Sequence, residues 1–191
     1  MNCPLCLDRG FIIDSNKQQK KCVCQVKKEL ERFLAPVIQY PLVKDIDFSE
    51  YNPHLVITKG TERGFYSLVK SFMFRYYFEN QQNNRQHYAV ETGTSIIEMY
   101  LSDTEQKHKH LYTIPLLFVD LTKSYTNKAM GEIVLYTLRQ RQGNDLPFWI
   151  YVGAMTKTQM EQIYNKELVD YLNSKDKLNI DKYSMKISQE A

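Results

Sequence analysis

Along most of the chain, short apolar runs alternate with longer stretches in which apolar residues return at helical spacing. The runs at 55–58, 88–92, 114–121 and 148–152 read as strands, with a weaker candidate at 183–187. Between them Phe65, Leu68, Val69, Phe72, Met73 and Tyr76 mark one face of a helix, because residues three and four apart stack on the same side. Met130, Ile133, Val134 and Leu138 do the same further on. A last long helix opens at Thr156, whose spacing to Gln159 is that of a capping box; its apolar face is Met160, Ile163, Tyr164, Leu168, Tyr171 and Leu172. Strands alternating with helices predict an α/β fold, a parallel sheet flanked by helices.

The first 54 residues follow another pattern. Residues 26–37 read as a short basic helix stopped near Pro36, and the stretch beyond it, bracketed by Pro41 and Pro53, reads as an extended linker, since proline breaks a helix and restricts the residue before it. The organisation expected is a module with a basic helix at 1–35, a linker at 36–54 and an α/β domain at 55–191.

All four cysteines lie in that first module, as Cys3-x-x-Cys6 and Cys22-x-Cys24. Two close pairs at the ends of one loop can close a tetrahedral shell around structural zinc, and four sulfur ligands leave no open position for catalysis. Between the pairs, Phe11, Ile12 and Ile13 precede a polar turn, which suits the hairpin of a zinc ribbon. So short a segment needs such a staple, because it cannot bury a core. The alternatives are two disulfides, four idle thiols or a redox pair, and the second pair has one spacer residue where two to four are usual.

Composition narrows the class. The chain has 191 residues, 43% hydrophobic and 13% aromatic, enough for one good core and a small appendage. Its 25 basic and 22 acidic residues leave a net charge of +3, far from a coating for duplex DNA. No run is long and apolar enough to span a membrane, and MNCPLCLDRG lacks the pattern of a signal peptide; a cytoplasmic protein with no membrane partner is expected.

The stretch LVITKGTERGFYSLVKSF places a strand, Gly60 and Gly64, and a helix in the order of a phosphate-binding loop. In such a loop glycines let backbone amides close on phosphate, a lysine adds charge and a hydroxyl holds magnesium. With Gly64 as the second glycine, Lys59 occupies the first glycine position, Phe65 the lysine and Tyr66 the Ser/Thr. Ser67 comes one residue, about 100° of helix, too late. Three lesser candidates accompany this site. His108 and His110 read as part of a solvated loop before a strand rather than as metal ligands. Lys17, Lys20, Lys21, Lys27, Lys28 and Arg32 put a basic patch on or beside the cysteine module, open to phosphate or partner contact. The aromatic run FMFRYYFE has rings on more than one face, so part of it is expected at the surface.

Taken in order, CPLCLDRGFII and KKCVC, a basic helix, DFSEYN, LVITKGTERGFYS, YAVETGTSIIEMYL, PLLFVDL, GEIVLYTLRQRQGNDLPFWIYVG and QMEQIYNKELVDYL resemble the DnaC/DnaI-type replicative helicase loaders of bacteria and phages, AAA+ ATPases that often begin with a zinc module. The resemblance spans nearly the whole chain. It implies that Asp120 matches the metal-holding acid. It also implies that Leu121 stands where the water-activating carboxylate belongs, Gly153 where the polar sensor belongs, and Tyr171 where the arginine that acts on a neighbour's nucleotide belongs. Since such an arginine alone is worth about 10³ to 10⁵ in rate, the resemblance implies a pseudo-ATPase. Such a protein would be a non-catalytic adaptor of a phage or mobile element with structural zinc and no bound ATP. Its partner would be a replicative helicase, an initiator or another AAA+ protein, with single-stranded DNA as a further candidate. An active ATPase built on Lys59, Ser67 and Asp120, and a zinc-dependent module for single-stranded nucleic acid, are the alternatives.

Overall fold

The structure is a computed structural model that describes residues 3–43, 54–79, 88–102, 105–123 and 128–180. The chain opens with an antiparallel hairpin, β1 (Phe11–Ile13) and β2 (Gln19–Lys21), in which Phe11 faces Lys21 and Ile13 faces Gln19. Helix α1 (Val23–Phe33) and a 3-10 turn (Ala35–Val37) follow. The helix thus begins earlier than the apolar pattern suggested. Pro36 enters the 3-10 turn near its start, where a missing N–H costs nothing.

The body holds five strands: β3 (His54–Thr58), β4 (Tyr88–Thr92), β5 (Leu116–Asp120), β6 (Phe148–Gly153) and β7 (Asp176–Asn179). They form one sheet in the order β4-β5-β6-β3-β7, each neighbouring pair parallel. The helices are α2 (Glu62–Glu79), α3 (Gly93–Leu101), α4 (Glu105–Thr113), α5 (Lys128–Gly143), α6 (Lys157–Ile163) and α7 (Lys166–Asn173). The fold is therefore the expected α/β architecture.

Alternation along each strand sends its residues to two faces. Val56, Leu117, Val119, Phe148, Ile150 and Val152 meet the helices from α3 to α7 on one side. Leu55, Ile57, Leu116, Phe118, Trp149 and Tyr151 meet α2 on the other, together with Leu34 and Val37 from the segment after α1. The α2 face read from spacing is the buried one, with Phe65, Leu68, Val69 and Met73 at 0% exposure. Phe78, at the end of the aromatic run, is 43% exposed.

Four expectations change. The fifth described strand is β7, a polar segment in which Leu178 alone is buried; the candidate at 183–187 lies outside the described residues. The single last helix is two. Tyr164 ends α6 in an extended conformation, and Asn165 caps α7 by accepting from the Leu168 amide at 2.9 Å. Gly131 of α5 permits that break, because a Cβ there would lie 2.7 Å from the Asn165 amide nitrogen. The capping box at Thr156 and Gln159 does open α6. His108 and His110 lie in helix α4, not in a loop; His108 stacks on Tyr100 at 4.7 Å and His110 stands 3.9 Å from Glu91. Finally, the part of the expected extended linker that is described turns back onto α2: Val37 and Val43 are buried, and the Val43 amide donates to Ser71 Oγ at 2.7 Å.

Candidate functional site

In an open parallel sheet the carboxyl ends of the strands form the natural crevice. Here Thr58, Asp120 and Gly153 end β3, β5 and β6 side by side. Only Lys59, Gly60 and Thr61 join β3 to α2, where a phosphate-cradling loop needs about six residues between strand and helix. Helix α2 has already started at Glu62, so Gly64 lies inside it. Lys59 and Gly60 take left-handed conformations with φ of 59° and 72°, which turns the chain at once. The Lys59 amide donates to the Gly153 carbonyl at 2.7 Å, and the Tyr151 hydroxyl donates to the Gly60 carbonyl at 3.0 Å. Thr61 starts the helix, accepting from the Gly64 amide through Oγ1 and from the Phe65 amide through its carbonyl. Three amides near the turn are thus engaged with protein.

Phe65 and Tyr66 occupy the floor of the crevice. The Phe65 ring lies parallel to Tyr151, 4.8 Å away and 7° from coplanar. Tyr66 reaches across to donate from its hydroxyl to Asp120 Oδ2 at 3.1 Å. The other carboxylate oxygen accepts from the Thr122 amide at 2.9 Å and its hydroxyl at 2.6 Å. Asp120 is fully buried, so these donors are what make a buried carboxylate tolerable. Burial beside Asp120 pushes the Tyr66 phenol well above its ordinary range, keeping it a donor. Tyr40 then covers Tyr66, ring on ring at 4.8 Å, and Lys123 sits 5.2 Å over the same ring. Lys123 also pairs with Glu62, whose hydrogen bond, and then its charge, lifts the lysine's pKa. Glu62 is the acidic residue in the first turn of α2, the place a helix dipole favours for an anion.

The remaining predicted residues divide between this crevice and elsewhere. Leu121 is buried, its amide donating to the Tyr151 carbonyl at 2.9 Å. Gly153 has φ of 60°, and a Cβ there would stand 2.9 Å from the Thr122 methyl; a larger sensor side chain would have to displace it. Ser67 is fully buried in α2, its hydroxyl without a hydrogen-bond partner among the described residues. Lys59 extends its side chain to solvent. Tyr171 lies at the opposite end of the sheet, near Phe148, with its hydroxyl donating to Gln142 Oε1 at 2.6 Å. Sequence reasoning missed Tyr40, Glu62, Thr122, Tyr151 and Lys123. Of these Glu62 alone carried a local sign, an acid in a helix's first turn; the others act through contacts distant in sequence.

The cysteines form a second site. Their four Sγ atoms all lie within 4.8 Å of one another, with Cys3 to Cys22 at 3.7 Å and Cys6 to Cys24 at 3.3 Å. Four sulfurs about 2.3 Å from a zinc ion stand about 3.8 Å apart, so the donor set fits zinc in both type and spacing. The short second spacer works because Cys22 precedes α1 in an extended conformation while Cys24 lies in its first turn. The first pair sits in a tight turn with Leu7 and Asp8 at φ of 49° and 63°. There the amides of Cys6 and Leu5 pull the Cys3 thiol down to about 7, while the neighbouring thiols and burial push Cys24 up, so without a metal the cluster shares its protons unevenly. The free-thiol state of all four leaves no disulfide. In the basic patch, Lys20 pairs with Asp14 at 2.8 Å, Lys21 with Glu29 at 2.8 Å and Lys27 with Glu31 at 4.0 Å, which offsets half of its six cations; Lys17, Lys28 and Arg32 complete it.

No family model and no curated protein sequence matches the chain. Solved structures do match in fold. Domain III of the replication initiation protein DnaA from Thermotoga maritima superposes with a TM-score of 0.54 and 12% identity over 81% of this chain and 62% of that one. AMPPCP-bound DnaA from Aquifex aeolicus gives 0.54 and 11% over 86% of this chain and 48% of that one. The DnaC helicase loader gives 0.51 and 12% over 88% of this chain and 97% of that one. The chain thus spans less than two thirds of the DnaA structures and nearly all of the loader. At these identities the likeness shows the fold alone: a parallel α/β sheet flanked by helices, as in the DnaA and DnaC structures. Among the described residues no helix is long and apolar enough to cross a membrane.

Proposed function

We propose that the chain is a non-catalytic adaptor of DNA replication, a pseudo-ATPase relative of the helicase loaders that works by binding, in a phage or mobile element. The hydrogen bond from Tyr66 to Asp120 carries this reading. By the resemblance, magnesium and its hydroxyl ligand would meet the acid where Tyr66 stands, and the connection ahead of it is shorter than a phosphate loop needs. Phosphoryl transfer depends on positioning and charge, and Phe65, Leu121 and Gly153 supply neither. Cys3, Cys6, Cys22 and Cys24 would hold a zinc ion, which contributes folding energy to the module and no chemistry. The loader-like fold supports a replicative helicase, an initiator or another AAA+ protein as partner; Lys17, Lys28 and Arg32 are the residues through which the module would meet an acidic surface or single-stranded DNA.

Calorimetric titration of the zinc-loaded full chain with magnesium-ATP tests the pseudo-ATPase reading. No binding heat is expected, and a micromolar, magnesium-dependent affinity overturns it. Co-purification with the replicative helicase of the same host tests the adaptor role. A stable complex that forms equally with and without ATP is expected; no complex, together with salt-dependent binding of single-stranded DNA, replaces the adaptor by a nucleic-acid-binding protein.

A further inference from the structure

We infer that the closed crevice is a self-liganded lock: Tyr66, Glu62 and Lys123 make, from within the chain, the contacts a magnesium-nucleotide would make, and residues 34–43 close over them as a strap that seats the cysteine module on the body. The inference rests on the reading that no nucleotide enters the crevice. It adds a regulatory consequence: the module is held in one orientation without a ligand that comes and goes.

The contacts form a continuous path. At its inner end both Asp120 oxygens are taken, by Tyr66 and by Thr122. Glu62 sits in the anion-favouring first turn of α2 with Lys123 as its counter-ion, and Lys123 reaches back over the Tyr66 ring. The strap comes next. Tyr40 stacks on Tyr66 within 14° of parallel, and Lys70 donates from Nζ to the carbonyls of Ile38 and Tyr40 at 2.7 and 2.5 Å. Leu34 and Val37 are buried in the same cluster as Tyr66. The strap continues directly from α1, whose Phe33 packs on Tyr77 at 5.3 Å and on Tyr88 at 4.7 Å. At the outer end Glu29 of α1 accepts from Tyr77 of α2 at 3.3 Å and from Lys21 of the hairpin at 2.8 Å. Side-chain contacts at both ends and the strap's own backbone between them therefore link Asp120 at the sheet's carboxyl end to β2 of the cysteine module.

In nucleotide switches the phosphate and its metal hold segments that relax when the ligand leaves. A ligand shifts such an equilibrium only by its differential affinity for the two states. Here the holding groups are part of the chain, so no ligand has to be kept bound, and opening the strap costs the local free energy of these contacts whatever the nucleotide concentration.

Hydrogen exchange on the zinc-loaded full chain, without nucleotide, tests the lock. Tyr40→Ala is expected to speed exchange of residues 34–43 and of α1 together by about five- to thirtyfold, the factor that corresponds to losing an aromatic pair and its seating. Tyr40→Phe, which keeps the ring, is expected to match wild type. Leu117→Ala on the other face of the sheet controls for general loss of stability and is expected to leave no selective increase at 23–43. Equal exchange in wild type and Tyr40→Ala, or an increase confined to the strap with α1 unchanged, overturns the inference. Because these measurements contain no nucleotide, that failure is separate from a calorimetric finding that ATP binds.

Discussion

In the body each strand feeds one of two apolar clusters, and the sheet between them is covered on both faces. The cysteine module does the reverse: Leu5, Leu7, Ile13 and Val23 are each more than 65% exposed, and among its described residues up to Lys21 the only buried side chain is Cys6, joined at the helix entrance by Cys22. A three-residue strand pair has too little apolar surface to offset its own ordering entropy. The difference teaches where each region would keep its stability: in hydrophobic area for the body and, with the proposed zinc bound, in the four-sulfur shell for the module.

Removing the metal is the largest way to break that comparison. Structural zinc contributes about 10 kcal/mol or more to a small module. One zinc per chain is the expected result of elemental analysis, and Cys22→Ser, or a strong chelator, is expected to abolish it and to raise exchange across residues 3–22. The body's urea midpoint is expected to stay near its original value. A body that melts with the module would show one shared source of stability.

A core truncation tests the other half. Leu117 is 1% exposed within the cluster facing α3 to α7, and Leu117→Ala is expected to cost about 2–5 kcal/mol through lost burial and a residual cavity. The urea midpoint reads that loss, while one zinc per chain is expected to remain.

The smallest effect sharpens the contrast through pH. Burial holds His54 below its ordinary pKa, with Lys175 and Arg141 adding repulsion. The unfolded chain takes up that proton near pH 6.5 and the folded chain only at lower pH. The body's stability from this group is therefore complete above about 6.5 and is lost as pH falls through the folded pKa. A histidine resonance titrating below the others, and a shallower fall in urea midpoint for His54→Gln, are the expected signs.

Much of the fold was legible locally. Strand positions at 55–58, 88–92 and 148–152 and the buried stripe of α2 follow from periodicity, because each half-buried element must repeat its apolar side. Strand β7 was not legible, since an edge strand with one buried residue has no such repeat. The two helices α6 and α7 read as one because their apolar faces stay in phase; their separation depends on Gly131, on another helix. In the crevice the wrong residue types at 65 and 66 could be read directly, whereas the partners they found could not.

By itself the sequence determined the chemistry available: four thiols in two pairs, an α/β alternation, and a strand, glycine and helix stretch with phenylalanine and tyrosine where a phosphate loop would have lysine and hydroxyl. Side-chain types and local spacing carry that information. Only the tertiary structure decided what the substitutions do: Tyr66 satisfies Asp120, Tyr40 returns from outside the domain to cover it, and the short turn at Lys59 and Gly60 is pinned to the sheet. Those contacts join residues far apart in the chain, so they exist only once the sheet has aligned the ends of its strands.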